Sequence, residues 1–173
     1  MQKTRTYEYD VHYFDPALMS QFTGLEYLTK VFSGEVAGGS IAQTLGFAPS
    51  HLERGRVMFE GTPEDFVLNP IGSVHGGYAA ALLDTVLGCA IHSALERGVG
   101  YTTVELKVNY VRAMTPQTGA IRAEVTIIHL GKTVATAEAK LYGRDDGRLY
   151  AHGSTTCLLF PLKAVSKGSG DEA

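Results

Sequence analysis

Between Val74 and Leu95 the chain carries one charged residue, Asp84. A helix of this length that is apolar nearly all round needs cover on nearly every side, from a bilayer or from the protein's own core. A carboxylate at mid-bilayer costs at least about 2.5 kcal/mol. Gly76, Gly77, Gly88, His75 and His92 also stand in the segment, and no second apolar run comes after it. The segment therefore reads as a buried helix of a soluble protein, from about Gly76 to Arg97, ended by Gly98 and Gly100.

The residues after the helix indicate how it is covered. The hydrophobic period changes to two. In 102–112, Val104, Leu106, Val108 and Tyr110 alternate with Thr103, Glu105, Lys107 and Asn109, as in a half-buried strand. The turn 115–119 leads to a second strand over 120–130, with Ile121, Ala123, Val125 and Ile127 on one face. Gly131-Lys132 leads to a third over 133–142, and Asp145-Asp146-Gly147 is a hairpin signal before a fourth over 149–160. Before the helix, 21–45 reads as helical with glycine interruptions, 56–61 as a strand and 63–73 as a loop. Tight turns between consecutive strands require antiparallel pairing. The expected fold is α+β, a curved antiparallel sheet wrapped around a long central helix. Residues 1–50 form a helical extension, 51–162 the main domain, and 163–173 a flexible tail.

A chain of 173 residues, 45% hydrophobic and 19% charged, suits one globular domain. A net charge of -3 argues against nucleic acid as the main partner. Cys89 and Cys157 make neither a disulfide framework nor a metal set. The first twenty residues hold Glu8, Asp10 and Asp15 and no apolar block, so no secretory signal is expected and a cytoplasmic location is.

Chemistry concentrates between Asn69 and Asp84. Gly76 and Gly77 open the helix, where the first amides lack internal partners and carry the positive end of the dipole. Glycine lets another group approach them, the geometry that holds an oxyanion; equally, the glycines can simply shape a tight turn. Asp84 lies in mid-helix among leucines and alanines. Burial would raise its pKa toward that of a general base, or it can satisfy a structural hydrogen bond to Thr85 or a neighbouring strand. Gly76 and Asp84 stand about 12 Å apart along a helix axis. One helix can hardly offer both to one carbonyl carbon, so a catalytic role requires the Asp84 of a second subunit, in a dimer with shared sites. His75 can hold a substrate carbonyl, orient the loop or cap the helix. Asn69 can be a turn residue or position a water. Thr103 can hold a water beside the carboxylate or be an ordinary strand residue.

Asn69-x5-His75-Gly76-Gly77-x7-Asp84, the stretch 101–112 (Tyr-Thr-Thr-Val-Glu-Leu-Lys-Val-Asn-Tyr-Val-Arg) and Gly131-Lys132 together resemble the phenylacetate-degradation-type (PaaI-like) hotdog thioesterases over about residues 55–160. The resemblance implies a hotdog fold, dimers and dimers of dimers, and hydrolysis of acyl-CoA with no cofactor beyond the coenzyme A of the substrate. By position it makes Asp84 the catalytic acid and Gly76, from the opposite chain, the oxyanion donor. Asn69 becomes the side chain placing the water or thioester, Thr103 (or Thr102) the hydroxyl beside the acid, and His75 the motif histidine. Asp84 then activates water or attacks to form an anhydride. Arg112 and Lys132 are candidates to hold the CoA phosphates or are solvated strand-end cations, and Arg144 and Arg148 are weaker candidates. The acyl pocket is expected at the dimer interface, from Tyr78, Leu82 and the N-terminal helix.

Other signals fail. Ser73 lacks the flanking glycines of a nucleophile elbow. Cys89 has no neighbouring base and reads as core. The histidines and cysteines make no metal spacing. Two rivals to the hydrolase remain: a hotdog hydratase or dehydratase acting on an acyl thioester, and a non-catalytic acyl-CoA-binding module.

Overall fold

The computed structural model describes residues 1–11 and 13–162; the tail assigned to 163–173 lies outside them. A long helix, α4 (Gly76–Ser93), lies against the inner face of a six-stranded antiparallel sheet. The strands are β1 (Phe47–Glu53), β2 (Arg56–Gly61), β3 (Val99–Tyr110), β4 (Ile121–Leu130), β5 (Val134–Gly143) and β6 (Leu149–Pro161), in the order β1-β2-β4-β5-β6-β3. This is the expected sheet wrapped around a central helix. Leu82, Leu83, Val86, Leu87 and Ile91 of α4 are fully buried. Each such side chain stabilises the fold by roughly 2 kcal/mol. Under the helix, β5 presents Ala135, Ala137 and Ala139, and β6 presents Ala151 and Gly153. These small residues let α4 sit close to the sheet.

Three details differ from the sequence expectation. The sheet has one more strand. β1 crosses the boundary drawn at residue 50 and forms a hairpin with β2 through Gly55, whose φ of 75° favours glycine. Pro49 hides the strand in the sequence. It is tolerated because β1 is an edge strand whose register shifts between Pro49 and His51. Second, α4 stops at Ser93 rather than Arg97. Ser93 Oγ donates to the Ala90 carbonyl at 2.7 Å and accepts the Gly55 amide at 2.8 Å, while the Leu95 carbonyl accepts the Gly24 amide at 3.0 Å. Tertiary partners thus close the helix end before Gly98 is reached. Third, β3 begins at Val99 and carries a bulge between Thr103 and Glu105. Its inner face is Tyr101 and Thr103 before the bulge, and Leu106, Val108 and Tyr110 after it. Val104, expected on that face, is 60% exposed.

The N-terminal residues hold α1 (Pro16–Met19), α2 (Gly24–Ser33) and α3 (Ser40–Leu45). A capping box between Thr23 and Glu26 starts α2, which docks near the end of α4. Residues 1–10 run over the 43–66 region. Lys3 pairs with Asp65, and Arg5 donates to the Thr44 carbonyl at 2.7 Å and stacks on Phe66. No helix among the described residues is long and apolar enough to cross a membrane.

Candidate active site

The turn into α4 is braced on all sides. The Val74 amide donates to the Met114 carbonyl and the His75 amide to the Val67 carbonyl, each at 2.8 Å. The Gly77 amide donates to His75 Nδ1 at 2.8 Å, which makes His75 the N-cap of the helix. With Nδ1 accepting, the proton of the neutral ring sits on Nε2. Tyr110 Oη donates to the Gly76 carbonyl at 3.0 Å. Of the amides from Val74 to Tyr78, Gly76 N–H alone has no partner among the described residues. It is a donor at the positive end of an 18-residue helix. The His75 side chain does here what a helix cap does; it leaves Gly76, not Gly77, open.

Asn69 organises the loop before this turn. Its Oδ1 accepts the amides of Ile71 (3.1 Å) and Ser73 (3.2 Å), and its Nδ2 donates to Ser73 Oγ at 2.7 Å. An amide side chain has two donor hydrogens, so one remains for an external acceptor. The contacts observed are those of a turn residue, and Ser73 Oγ is engaged with Asn69 rather than with a base.

Asp84 is half-buried on α4. Thr103 Oγ1 donates to its Oδ1 at 3.2 Å. Thr103, not Thr102, faces the carboxylate, because Thr103 opposes the buried Cys157 whereas Thr102 opposes Leu158 on the outer face. Thr85 instead donates to the Ala81 carbonyl at 2.8 Å. Cys89 lies five residues beyond Asp84 on the same helix and is partly exposed. Burial, aided by the Asp84 charge, pushes its thiol up to about 12, so it stays protonated and a poor nucleophile.

The α4 residues that are not buried are Gly76, Gly77, Ala80, Ala81, Asp84, Thr85 and Cys89. Their spacing of three and four places them on one face of the helix. That face holds both candidate groups, and apart from Asp84 its side chains are small. Tyr78 and Leu82, expected in an acyl pocket between subunits, lie on the opposite face and are 3% and 0% exposed in the chain's own core. They point the other way because positions 78 and 82 are a helical turn apart, out of phase with 77, 81 and 84.

The two candidate phosphate ligands do not meet within one chain. Arg112 lies just beyond β3 and lines a cleft of about 350 Å³ with Ser73, Gly76, Tyr110, Met114 and Tyr150. Lys132 sits in the β4–β5 turn, which the Leu159 amide ties to β6 by donating to the Thr133 carbonyl at 2.8 Å. Leu159 opposes Tyr101 at the far end of β3, about 25–30 Å along the strand from Tyr110. Arg144 is engaged by Glu60 and Asp145, and Arg148 by Asp146. The residue that sequence reasoning left without a role is Tyr110. It stood in the alternating pattern, but only the bulge and the strand's path along α4 bring its hydroxyl to Gly76.

A family model described as thioesterase superfamily matches residues 71–150. The chain is 42% identical to a Halobacterium salinarum protein assigned as an esterase, over 39% of this chain and 44% of that one. The match thus spans less than half of that relative's length. It is 32% identical to human acyl-coenzyme A thioesterase 13, over 59% of this chain and 71% of the human protein. A crystal structure of a Ralstonia eutropha phenylacetic acid degradation-related protein, assigned as a thioesterase, superposes with a TM-score of 0.70 at 28% identity. It covers 76% of this chain and 98% of its own. The human relative's identity and coverage, the matched motif segment and the shared sheet-and-helix architecture lead to one conclusion: this chain belongs to the thioesterase superfamily, with the hotdog fold.

Proposed function

We propose that the protein is an acyl-CoA thioesterase that hydrolyses its substrate to a free acid and coenzyme A at sites shared between two subunits. One observation carries the reading. A helix-start amide without a partner among the described residues, Gly76 N–H, and a carboxylate supported by a hydroxyl, Asp84 with Thr103, share the open face of one helix. They stand about 12 Å apart, too far to serve one carbonyl together. Two such helices running antiparallel across a two-fold axis bring the Gly76 of one copy to the Asp84 of the other. The small residues on this face allow that approach. β3 supplies a second means of pairing, because it is a long edge strand with unpaired backbone groups. Antiparallel β3–β3 pairing also sets the Lys132 end of one copy beside the Arg112 end of its partner, so both cations reach one CoA.

In this reading Asp84 takes a proton from a water held by Thr103. The resulting hydroxide attacks the thioester carbon, and Gly76 N–H of the partner receives the oxyanion. Collapse expels the CoA thiolate, which takes up a proton. Direct attack by Asp84 on the thioester carbon breaks the C–S bond, expels the CoA thiolate, which takes up a proton, and gives a mixed anhydride that water then opens to the free acid and the Asp84 carboxylate. The remaining Nδ2 hydrogen of Asn69 is available to the water or the thioester. The likeness to acyl-coenzyme A thioesterase 13 supports the substrate class.

The test is thiol release from short, medium, long and aromatic acyl-CoAs by wild type and Asp84→Asn. Hydrolysis of at least one thioester, lowered by about 10³-fold or more in a folded Asp84→Asn variant, is the expected result. A wild-type protein that binds acyl-CoA but releases no thiol refutes it. Conversion of an enoyl-CoA without thiol release would make the protein a hydratase instead.

A further inference from the structure

We propose that Tyr110 is a positioning residue that holds Gly76 in register for its role as oxyanion donor. The proposal rests on the thioesterase reading and extends it. A Gly-Gly pair is the least rigid way to begin a helix, because neither residue has a side chain to limit φ. An oxyanion donor has the opposite requirement: its N–H must already point at the developing charge. Some other group has to supply the stiffness that the glycines lack.

Tyr110 supplies it at the backbone itself. Its hydroxyl donates to the Gly76 carbonyl at 3.0 Å. Its ring lies against the Gly76 Cα, and a Cβ added there would meet Tyr110 Cζ at 2.9 Å. The Gly76–Gly77 peptide is therefore held at both ends, its carbonyl by Tyr110 and its N–H by His75 Nδ1. The preceding peptide is held through the His75 carbonyl, which accepts the Tyr78 amide at 3.0 Å. With both flanking peptides fixed, the Gly76 N–H has one direction left.

The strand end that carries Tyr110 is itself anchored. The amides of Val111 and Arg112 both donate to the Tyr150 carbonyl, at 2.8 and 3.1 Å. The Tyr150 hydroxyl in turn donates to Asp146 Oδ2 at 2.8 Å. Tyr110 is 58% exposed, so burial of its ring does not explain its place; among the described residues its hydroxyl bonds to the Gly76 carbonyl. The same packing explains why Gly76 is glycine: any side chain there displaces the tyrosine.

The test uses Tyr110→Phe, which keeps the ring and removes the hydroxyl, with Gly76→Ala and the double variant Gly76→Ala/Tyr110→Ala. For Tyr110→Phe we expect kcat to fall about tenfold with KM within about twofold of wild type and an unchanged melting temperature. Amide exchange at Gly77, whose N–H is bonded to His75 Nδ1, is expected to quicken when followed by NMR, without loss of protection elsewhere. Gly76→Ala is expected to lose about 10²-fold in kcat, and the double variant to lose no more than that, because the clash is gone. A Tyr110→Phe enzyme with wild-type kcat, or one whose Gly77 exchange is unaltered, overturns the proposal. So does a double variant whose losses simply multiply. If wild type is active and Asp84→Asn is not, those results count against Tyr110 alone. If wild type releases no thiol, the thioesterase reading fails and this proposal fails with it.

Discussion

His92 offers a pH test of the packing between the N-terminal helices and α4. Its ring lies in a slot between Tyr27 and Tyr101, with centroids 5.5 and 5.3 Å away, and it is 5% exposed. Burial pushes its imidazole from the ordinary 6.5 down to about 4. The folded protein therefore holds His92 neutral, while the unfolded chain takes up a proton near pH 6.5. Between those values the unfolded state binds more protons, so stability rises with pH. The contribution is fully present above pH 6.5, is lost as pH falls toward 4, and levels off below it. At about 1.4 kcal/mol per pH unit, the interval is worth about 3 kcal/mol. For a chain of this size that is roughly 10 °C in melting temperature. Carboxylates titrate over part of the same range, so the comparison is with His92→Phe, which keeps a ring and removes the titration. Unfolding by urea at pH 7.5 and 4.5, which spans about 2 pH units of that interval, should show wild type losing about 2–3 kcal/mol more than the variant. Equal pH dependence in the two proteins would refute the argument.

The geometry leads to two more expected outcomes. The Tyr78 hydroxyl is buried without a hydrogen-bond partner among the described residues, so Tyr78→Phe should stabilise the fold by about 1 kcal/mol in urea unfolding. Arg112→Gln should raise KM about tenfold for an acyl-CoA, yet leave it unchanged for the matching N-acetylcysteamine thioester, which lacks the nucleotide phosphates.

The elements legible in the sequence were those whose burial pattern is periodic and local. The segment around Asp84 had no polar face, and 102–160 alternated with clear turn residues, so helix, strands and their antiparallel pairing could be read directly. Both marks of the candidate site, His-Gly-Gly and a carboxylate eight residues after Gly76, stood out because each is costly for a helix unless something uses it. β1 escaped because Pro49 breaks its pattern, and a proline in a strand is admissible only where the strand lies at an edge. That is a fact about the sheet, not about residues 47–53.

Several assignments needed the assembled chain. A bulge after Thr103 adds one residue, and a one-residue shift exchanges the two faces of a strand. That is why Val104 faces outward, Thr103 meets Asp84 and Tyr110 reaches Gly76. Whether His75 capped the helix or faced a substrate depended on which acceptor its neighbour's amide found. Arg112 and Lys132 read alike as strand-end cations, yet their strands end at opposite ends of the sheet. By itself, then, the sequence determined the elements, their pairing sense and the residues with unusual chemistry, because propensity and periodicity act over a few neighbours. Only the tertiary structure decided which of those residues meet, because register, bulges and strand order are set by contacts between segments far apart in the chain.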